Sequence, residues 1–330
     1  MLSAGSAGSR RPVLQLGERK AERGAHDQVA GVIHGTLSNR ARDPRANTLP
    51  LPWDSITLLP MTALDLLCRH LLGLGRVLLG YSGGVDSALL AVVGRRALGV
   101  DRFLAVIGRS ASYPEVQWRS AVRLARDFDV PFLEVKTREL ADPRYLGNST
   151  DRCYFCKSEL WARLGEVARE RGFDTIIDGT NADDLGEHRP GLRAAEQRSV
   201  RSPLAELGWT KDAIRAASRE LGLPSWDAPA APCLSSRVAY GLHITPERLR
   251  QVEAGEAYLR GIGVSGDLRV RHHGERARLE VAPEQLARVR EHWPAVVTFF
   301  SGLGFAMVEL DPAGYRRGGL LAVAPGAPGL

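Results

Sequence analysis

The sequence predicts an α/β protein, a doubly wound parallel sheet followed by a smaller C-terminal α+β domain. Three observations carry this. From Met61 onward, short apolar runs alternate with longer amphipathic stretches, which is the grammar of βαβ units. The first run ends in a Gly-rich turn that opens a helix. Beyond residue 240 the alternation gives way to isolated helices and alternating strands. The chain's 330 residues allow for about two domains, and its 44% hydrophobic and 25% charged composition is that of a folded globular protein.

Each element follows from local pattern. Val77–Tyr81, Phe103–Ile107, Phe132–Val135 and Thr175–Ile177 are unbroken apolar runs of strand length, as strands buried on both faces are. Between them Asp86–Leu98, Pro114–Phe128 and Tyr154–Arg171 have helical spacing, with Pro114 at a first helical position. From 179 to 240 strand signals fade, leaving a loop-rich stretch to Pro190, a helix to Leu221 with Thr210 as its N-cap, and proline punctuation over 224–232. Thr245–Gly261 then reads as a capped helix and Leu268–His272 with Arg278–Val281 as an antiparallel pair. Pro283–His292 reads as a helix and Ala306–Leu310 as a last strand. No internal repeat is present. Residues 1–60, rich in Gly, Ser, Ala, Arg and Pro with no lasting period, are expected to be a disordered tail, with Met61 the biological start. The expected domains are 61–240 and a small substrate-binding or oligomerisation domain over 241–330.

Charge says little about partners. The net charge is +6, but half of it lies in residues 1–60, and lysine occurs only at Lys20, Lys136, Lys157 and Lys211. Such diffuse, arginine-based basicity gives no reason to expect a nucleic-acid partner. The most apolar stretch, Leu58–Leu79, is interrupted by Pro60, Asp65, Arg69, His70 and Arg76, which excludes a membrane span. Four cysteines and no signal-like start point to the reducing cytoplasm.

The run Val77–Tyr81 enters Ser82-Gly83-Gly84-Val85-Asp86-Ser87 and then a helix. Two glycines let the backbone approach an oxyanion, the helix N-terminus presents free N–H groups, and Ser82 and Ser87 add hydroxyl donors. The loop is neither a Walker A loop, whose lysine it lacks, nor a G-x-G-x-x-G turn. At these residues the sequence resembles the PP-loop ATP pyrophosphatase superfamily, whose S-G-G-x-D-S loop is matched in full. The resemblance implies that ATP is cleaved between its α- and β-phosphates, leaving AMP on a substrate oxygen, with Asp86 near the phosphates and Mg²⁺. Asp183 and Asp184, after the strand Thr175–Ile177, fall at the carboxyl end of the same sheet, where metal or ribose contact is expected.

Cys233 lies in a proline-bounded polar loop with Arg237 four residues on. That is a setting for a thiolate, although a lone cysteine also serves as a small core hydrophobe. Asp178–Pro190, Pro232–Gly241 and Leu268–Gly274 together resemble the LarE family of ATP-dependent sulfur transferases, over about Met61 to Gly319. The resemblance implies adenylation of a carboxylate of pyridinium-3,5-biscarboxylic acid mononucleotide in nickel-pincer cofactor biosynthesis. Sulfur would come from Cys233, and Arg269 and Arg271 would hold the substrate phosphate. Glu256 and Glu280 would be acidic residues near the site, with Glu253 able to replace Glu256.

Arg152-Cys153-Tyr154-Phe155-Cys156-Lys157 departs from a single-cysteine pattern. With Cys233 it could supply three ligands to a [4Fe–4S] cluster, as some PP-loop sulfur transferases do, or form a redox or persulfide pair, or be structural. Cys68 is read as core. The expected partners are a small nucleotide substrate and further copies of the chain, with no nucleic acid and no membrane. The competing readings are a PP-loop tRNA thiolase, an amide-forming synthetase, and a non-catalytic adenine-nucleotide-binding regulator.

Overall fold

The computed structural model describes residues 61–186 and 190–316. The expected tail, the assignment of Met61 as the start, and residues 187–189 of the acidic loop lie partly or wholly outside that span. The described chain opens with α1 (Ala63–Leu72), capped by a reciprocal box in which Asp65 N–H donates to Thr62 Oγ1 and Thr62 N–H donates to Asp65.

Next come β1 (Val77–Gly80), α2 (Val85–Arg102), β2 (Phe103–Arg109), α3 (Glu115–Asp127) and β3 (Phe132–Lys136). They are followed by α4 (Pro143–Leu146), α5 (Arg152–Arg171) and β4 (Thr175–Ile177). The four strands form one parallel sheet in the order β3-β2-β1-β4. Because successive side chains point to opposite faces, both faces must be covered, and they are. Val77, Leu79, Phe103, Ala105 and Ile107 join a core with α1, α2 and α3, whereas Leu78, Leu104, Val106 and Leu133 join a second core with α5. This is why the strands lack polar alternation. Gly80 permits the close approach of α5, since a Cβ there would meet the Trp161 ring at 2.7 Å.

The helices α6 (Pro190–Glu196), α7 (Pro203–Glu206) and α8 (Lys211–Glu220) follow β4. Thr210 caps α8 as expected, its Oγ1 accepting from Ala213 N–H at 3.3 Å. α9 (Pro246–Gly261) is capped by Thr245. The antiparallel pair β5 (Leu268–His273) and β6 (Arg276–Val281) comes next, then α10 (Leu286–Glu291), α11 (Trp293–Gly302) and β7 (Met307–Leu310). β7 pairs parallel to β6, which closes a three-stranded sheet.

The expected helix Pro283–His292 is a 3₁₀ turn followed by the short α10. The sequence pattern gives no sign of α11, whose Val296 and Phe300 are buried against α9 and β5. A further core of Tyr145, Leu234, Val238, Ile244, Leu249 and Val252 lies under the Cys233 segment. Among the described residues no helix is long and apolar enough to cross a membrane.

Candidate active site

The phosphate loop has the conformation its composition dictates. Gly83 sits at φ +71°, and a Cβ there would lie 2.5 Å from Ala121 Cβ, so glycine is required both by backbone geometry and by the packing of α3. Gly84 is the N-cap of α2 and no side chain caps that helix, so its first N–H groups are left for an anion. Ser87 Oγ donates to Gly84 O at 3.1 Å and lies 3.2 Å from Ser82 Oγ, which draws the loop together. From outside, Tyr113 Oη and Gln117 Nε2 both donate to Ser82 O, at 2.8 and 2.9 Å.

Asp86, expected near the phosphates with Mg²⁺, already has a cation partner from the chain itself. Lys211 Nζ donates to both its oxygens, at 2.6 and 2.7 Å, and Asn181 Nδ2 donates to Oδ1 at 3.2 Å. Asp183 fixes the start of α8, its Oδ2 accepting from Lys211 N–H at 2.7 Å. Gly179 lets the two segments meet, since a Cβ there would come within 3.0 Å of Ser87 N. The loop therefore has a lysine after all. It is supplied from α8, 125 residues along the chain, and no local motif search would find it. Magnesium bound with a triphosphate needs only one or two protein carboxylates besides phosphate oxygens, and Asp86 and Asp183 fit that demand.

Around Cys233 the sequence-predicted residues converge. Arg237, 3% exposed, donates through Nε to Glu256 Oε1 at 3.0 Å and through Nη1 to the carbonyls of Pro232 and Cys233. Its hydrogens thus hold the backbone of the loop on both sides of the Pro232–Cys233 peptide. Glu256 also accepts from Val270 N–H, whereas Glu253 accepts from Glu115 N–H at the start of α3. The structure places Glu256, and not Glu253, beside Arg237.

Arg269 and Arg271 share one face of β5, as spacing requires, and both are buried, not solvated. Arg271 pairs with Glu280 at 2.8 Å and donates to Ser236 O at 3.0 Å. Arg269 donates to Ala230 O at 2.8 Å and has no carboxylate partner among the described residues. Burial, with Arg237 nearby, holds the Arg269 guanidinium below its ordinary pKa. The three buried arginines face two buried or half-buried glutamates, an excess of positive charge that an anion would satisfy.

Cys153 and Cys156 lie in the first two turns of α5, Cys153 exposed and Cys156 half-buried. Desolvation raises both thiol pKa values. Cys233 raises both further, and Glu139 adds to the rise at Cys156, which places the three thiols in one electrostatic neighbourhood. Among the described residues, however, no three His, Cys, Asp or Glu side chains converge on a metal position. Cys68 packs against the core, where burial raises its pKa.

The two halves of the site are joined by one short segment. Tyr113 holds Ser82 of the phosphate loop, and the adjacent Ser112 carbonyl accepts from Leu234 N–H at 2.8 Å, next to Cys233. Sequence reasoning assigned no role to Ser112, Tyr113, Lys211 and Glu139, ordinary polar residues outside any motif, nor to Asn181 and Arg152, which lie within segments singled out for other residues. Arg152 is buried and donates to Ser235 O at 2.9 Å.

Comparisons with known proteins agree with this geometry. Residues 70–165, which carry the phosphate loop, match the NAD synthase family. The chain is 43% identical over 249 residues to an uncharacterized protein of Synechocystis sp., covering 75% of this chain and 92% of that one. It is 33% identical over 245 residues to the pyridinium-3,5-bisthiocarboxylic acid mononucleotide synthase of Lactiplantibacillus plantarum, covering 74% of this chain and 88% of that one. A glutamine-hydrolyzing GMP synthase chain of Pyrococcus furiosus is 26% identical over 203 residues, 57% of this chain and 64% of its own. These likenesses and the phosphate loop make the protein an ATP-using enzyme. Similarity to the synthase at 33% identity over 74% of this chain and 88% of that one shows that the chain belongs to the LarE family of PP-loop ATP pyrophosphatases.

Proposed function

We propose that the protein is a sulfur transferase that adenylates a carboxylate of pyridinium-3,5-biscarboxylic acid mononucleotide and converts it to a thiocarboxylate with the sulfur of Cys233, in nickel-pincer cofactor biosynthesis. The observation that carries this reading is the Ser112–Tyr113 bridge, which hydrogen-bonds the phosphate loop on one side and the cysteine loop on the other.

A carboxylate is a poor electrophile until AMP replaces hydroxide as its leaving group. The α2 N-terminus and the serines Ser82 and Ser87 would hold the departing pyrophosphate. Lys211 would offer its charge to the same phosphates from its place on Asp86. Asp86 and Asp183 would hold Mg²⁺, which would supply positive charge to the phosphates. The excess cation around Arg269 and Arg271 would hold the substrate's own phosphate and orient its carboxylate toward Cys233. The Cys233 thiolate would then displace AMP to give a thioester. Loss of the cysteine Cα proton and cleavage of Cβ–S would release thiocarboxylate and leave dehydroalanine.

Cys233→Ala separates the two halves. The variant is expected to keep biscarboxylate-dependent pyrophosphate release while forming no thiocarboxylate. Pyrophosphate release that needs ammonia would instead favour the amide-forming reading suggested by the NAD synthase match. Release dependent on tRNA would favour a thiolase. Nucleotide binding without any release would favour the regulator.

A further inference from the structure

The elimination that frees sulfur from Cys233 needs a base, and three of the carboxylates near that loop are already committed. Both oxygens of Glu256 accept from Arg237, and Oε1 accepts from Val270 N–H as well. Glu280 holds Arg271. Glu253 holds Glu115 N–H. Glu256 has neither oxygen free of a hydrogen bond, Glu280 is tied into the Arg271 ion pair, and Glu253, half-buried, has one oxygen engaged at the start of α3.

Glu139 differs. It is 2% exposed, in the 3₁₀ turn Glu139–Ala141 just after β3, and no cation pairs with it among the described residues. Its Oε1 accepts from Ser112 Oγ at 3.0 Å, and its buried Oε2 has no hydrogen-bond partner. A buried, unpartnered carboxylate oxygen costs stability, and a fold that keeps one needs a reason. Two contacts tie it to the cysteine loop. Ser112, which orients Glu139, accepts Leu234 N–H through its carbonyl, next to Cys233. Leu140, the neighbour of Glu139, packs against the same core as Leu234, Cys156 and Tyr145, whose Oη lies 2.6 Å from Ser235 Oγ.

We infer that Glu139 is the base that removes the Cα proton of Cys233 once the cysteine carries the acyl group. The inference rests on the sacrificial sulfur transfer proposed above. In the step, Glu139 Oε2 takes the Cα proton and becomes a neutral carboxyl. The electron pair forms the Cα=Cβ bond, Cβ–S breaks, and sulfur leaves with the substrate as thiocarboxylate, so no oxidant or reductant is consumed. Ser112 is the positioning residue, holding Oε1 so that Oε2 stays free. The shared neighbourhood shows independently in Tyr145, whose phenol pKa is pushed up by burial and then by Cys233, Cys156 and Glu139.

The test compares full-length wild type with Glu139→Gln under ATP, Mg²⁺ and the biscarboxylate mononucleotide, reading pyrophosphate and intact mass. Glutamine keeps the shape and the Ser112 contact but cannot accept the proton. Glu139→Gln is expected to release pyrophosphate at the wild-type rate, accumulate substrate covalently bound at Cys233, and form dehydroalanine at least a hundredfold more slowly, the usual reach of general-base catalysis. Dehydroalanine at the wild-type rate in Glu139→Gln would overturn the inference. If wild type itself forms neither adduct nor dehydroalanine, the proposed function fails instead. Glu139→Asp guards against a folding defect. It is expected to recover part of the dehydroalanine yield, and a variant that folds, adenylates and yet shows no adduct would also contradict the assignment.

Discussion

At the scale of single residues, charge pairing decides the site more than motif membership does. Asp86, central to the loop motif, is neutralised by Lys211 before any ligand arrives. Removing that cation would leave Mg²⁺ alone to offset the Asp86 carboxylate beside the phosphates. Lys211→Met is therefore expected to raise the KM for ATP by roughly tenfold, equivalent to ~1.4 kcal/mol, in a pyrophosphate-release assay. An unchanged KM would mean that Lys211 serves only to hold α8. The sequence displays Ser82–Ser87 as a contiguous signal, but Lys211 and Glu139 matter through contacts closed by the fold, so nothing in their neighbouring residues marks them. Arg237 shows the opposite case. Its proximity to Cys233 in sequence is real, but the carbonyls of Pro232 and Cys233 and the Glu256 carboxylate use its hydrogens.

At the scale of elements, backbone geometry sets the tolerance of the loop. Gly83 combines a left-handed φ of +71° with a Cβ position only 2.5 Å from Ala121 Cβ. Gly83→Ala is expected to cost ~1–2 kcal/mol from the left-handed backbone alone, with more from displacement of α3. Thermal unfolding and ATP affinity should fall together, and a variant with native melting temperature and affinity would show that the loop relaxes freely.

The parallel sheet is legible because its strands are buried on both faces and read as uniform apolar runs, and the capped helices are legible through Thr210 and Thr245. α11 is not. Its sequence, Trp-Pro-Ala-Val-Val-Thr-Phe-Phe, is aromatic and β-branched, so local preference gives no helical signal, and the contact of Phe300 with Gly255 of α9 overrides it. The segment Pro283–His292 is less regular than its spacing suggests because it begins as a 3₁₀ turn at Pro283 and ends against α11.

At the scale of the molecule, stability and function meet at β5, which carries Arg269, Arg271 and His272. His272 is locked as the neutral ring. Its Nδ1 accepts from Gly274 N–H at 3.2 Å, so Nε2 carries the hydrogen donated to Gln251 Oε1 at 2.9 Å. Burial, with Arg248 and His273 adding repulsion, lowers its pKa from 6.5 to about 4. The folded protein therefore refuses a proton that the unfolded chain accepts. This contribution to stability is complete above pH 6.5 and declines as pH falls toward about 4. His273, lowered mainly by burial, acts in the same direction. Urea unfolding midpoints are expected to drop across that window, and His272→Gln is expected to flatten the drop. An equally steep profile in the variant would assign the effect elsewhere.

The central claim is that one polypeptide activates a carboxylate with ATP and then gives up its own sulfur from Cys233. Intact-mass and iron analysis of anaerobically purified protein, before and after ATP, Mg²⁺ and the biscarboxylate mononucleotide, tests it most directly. The account predicts release of pyrophosphate together with loss of one H₂S per chain, mapped to Cys233, in protein without iron. Bound iron with thiocarboxylate formed and Cys233 unaltered would contradict it and assign the sulfur to a cluster held by Cys153, Cys156 and Cys233.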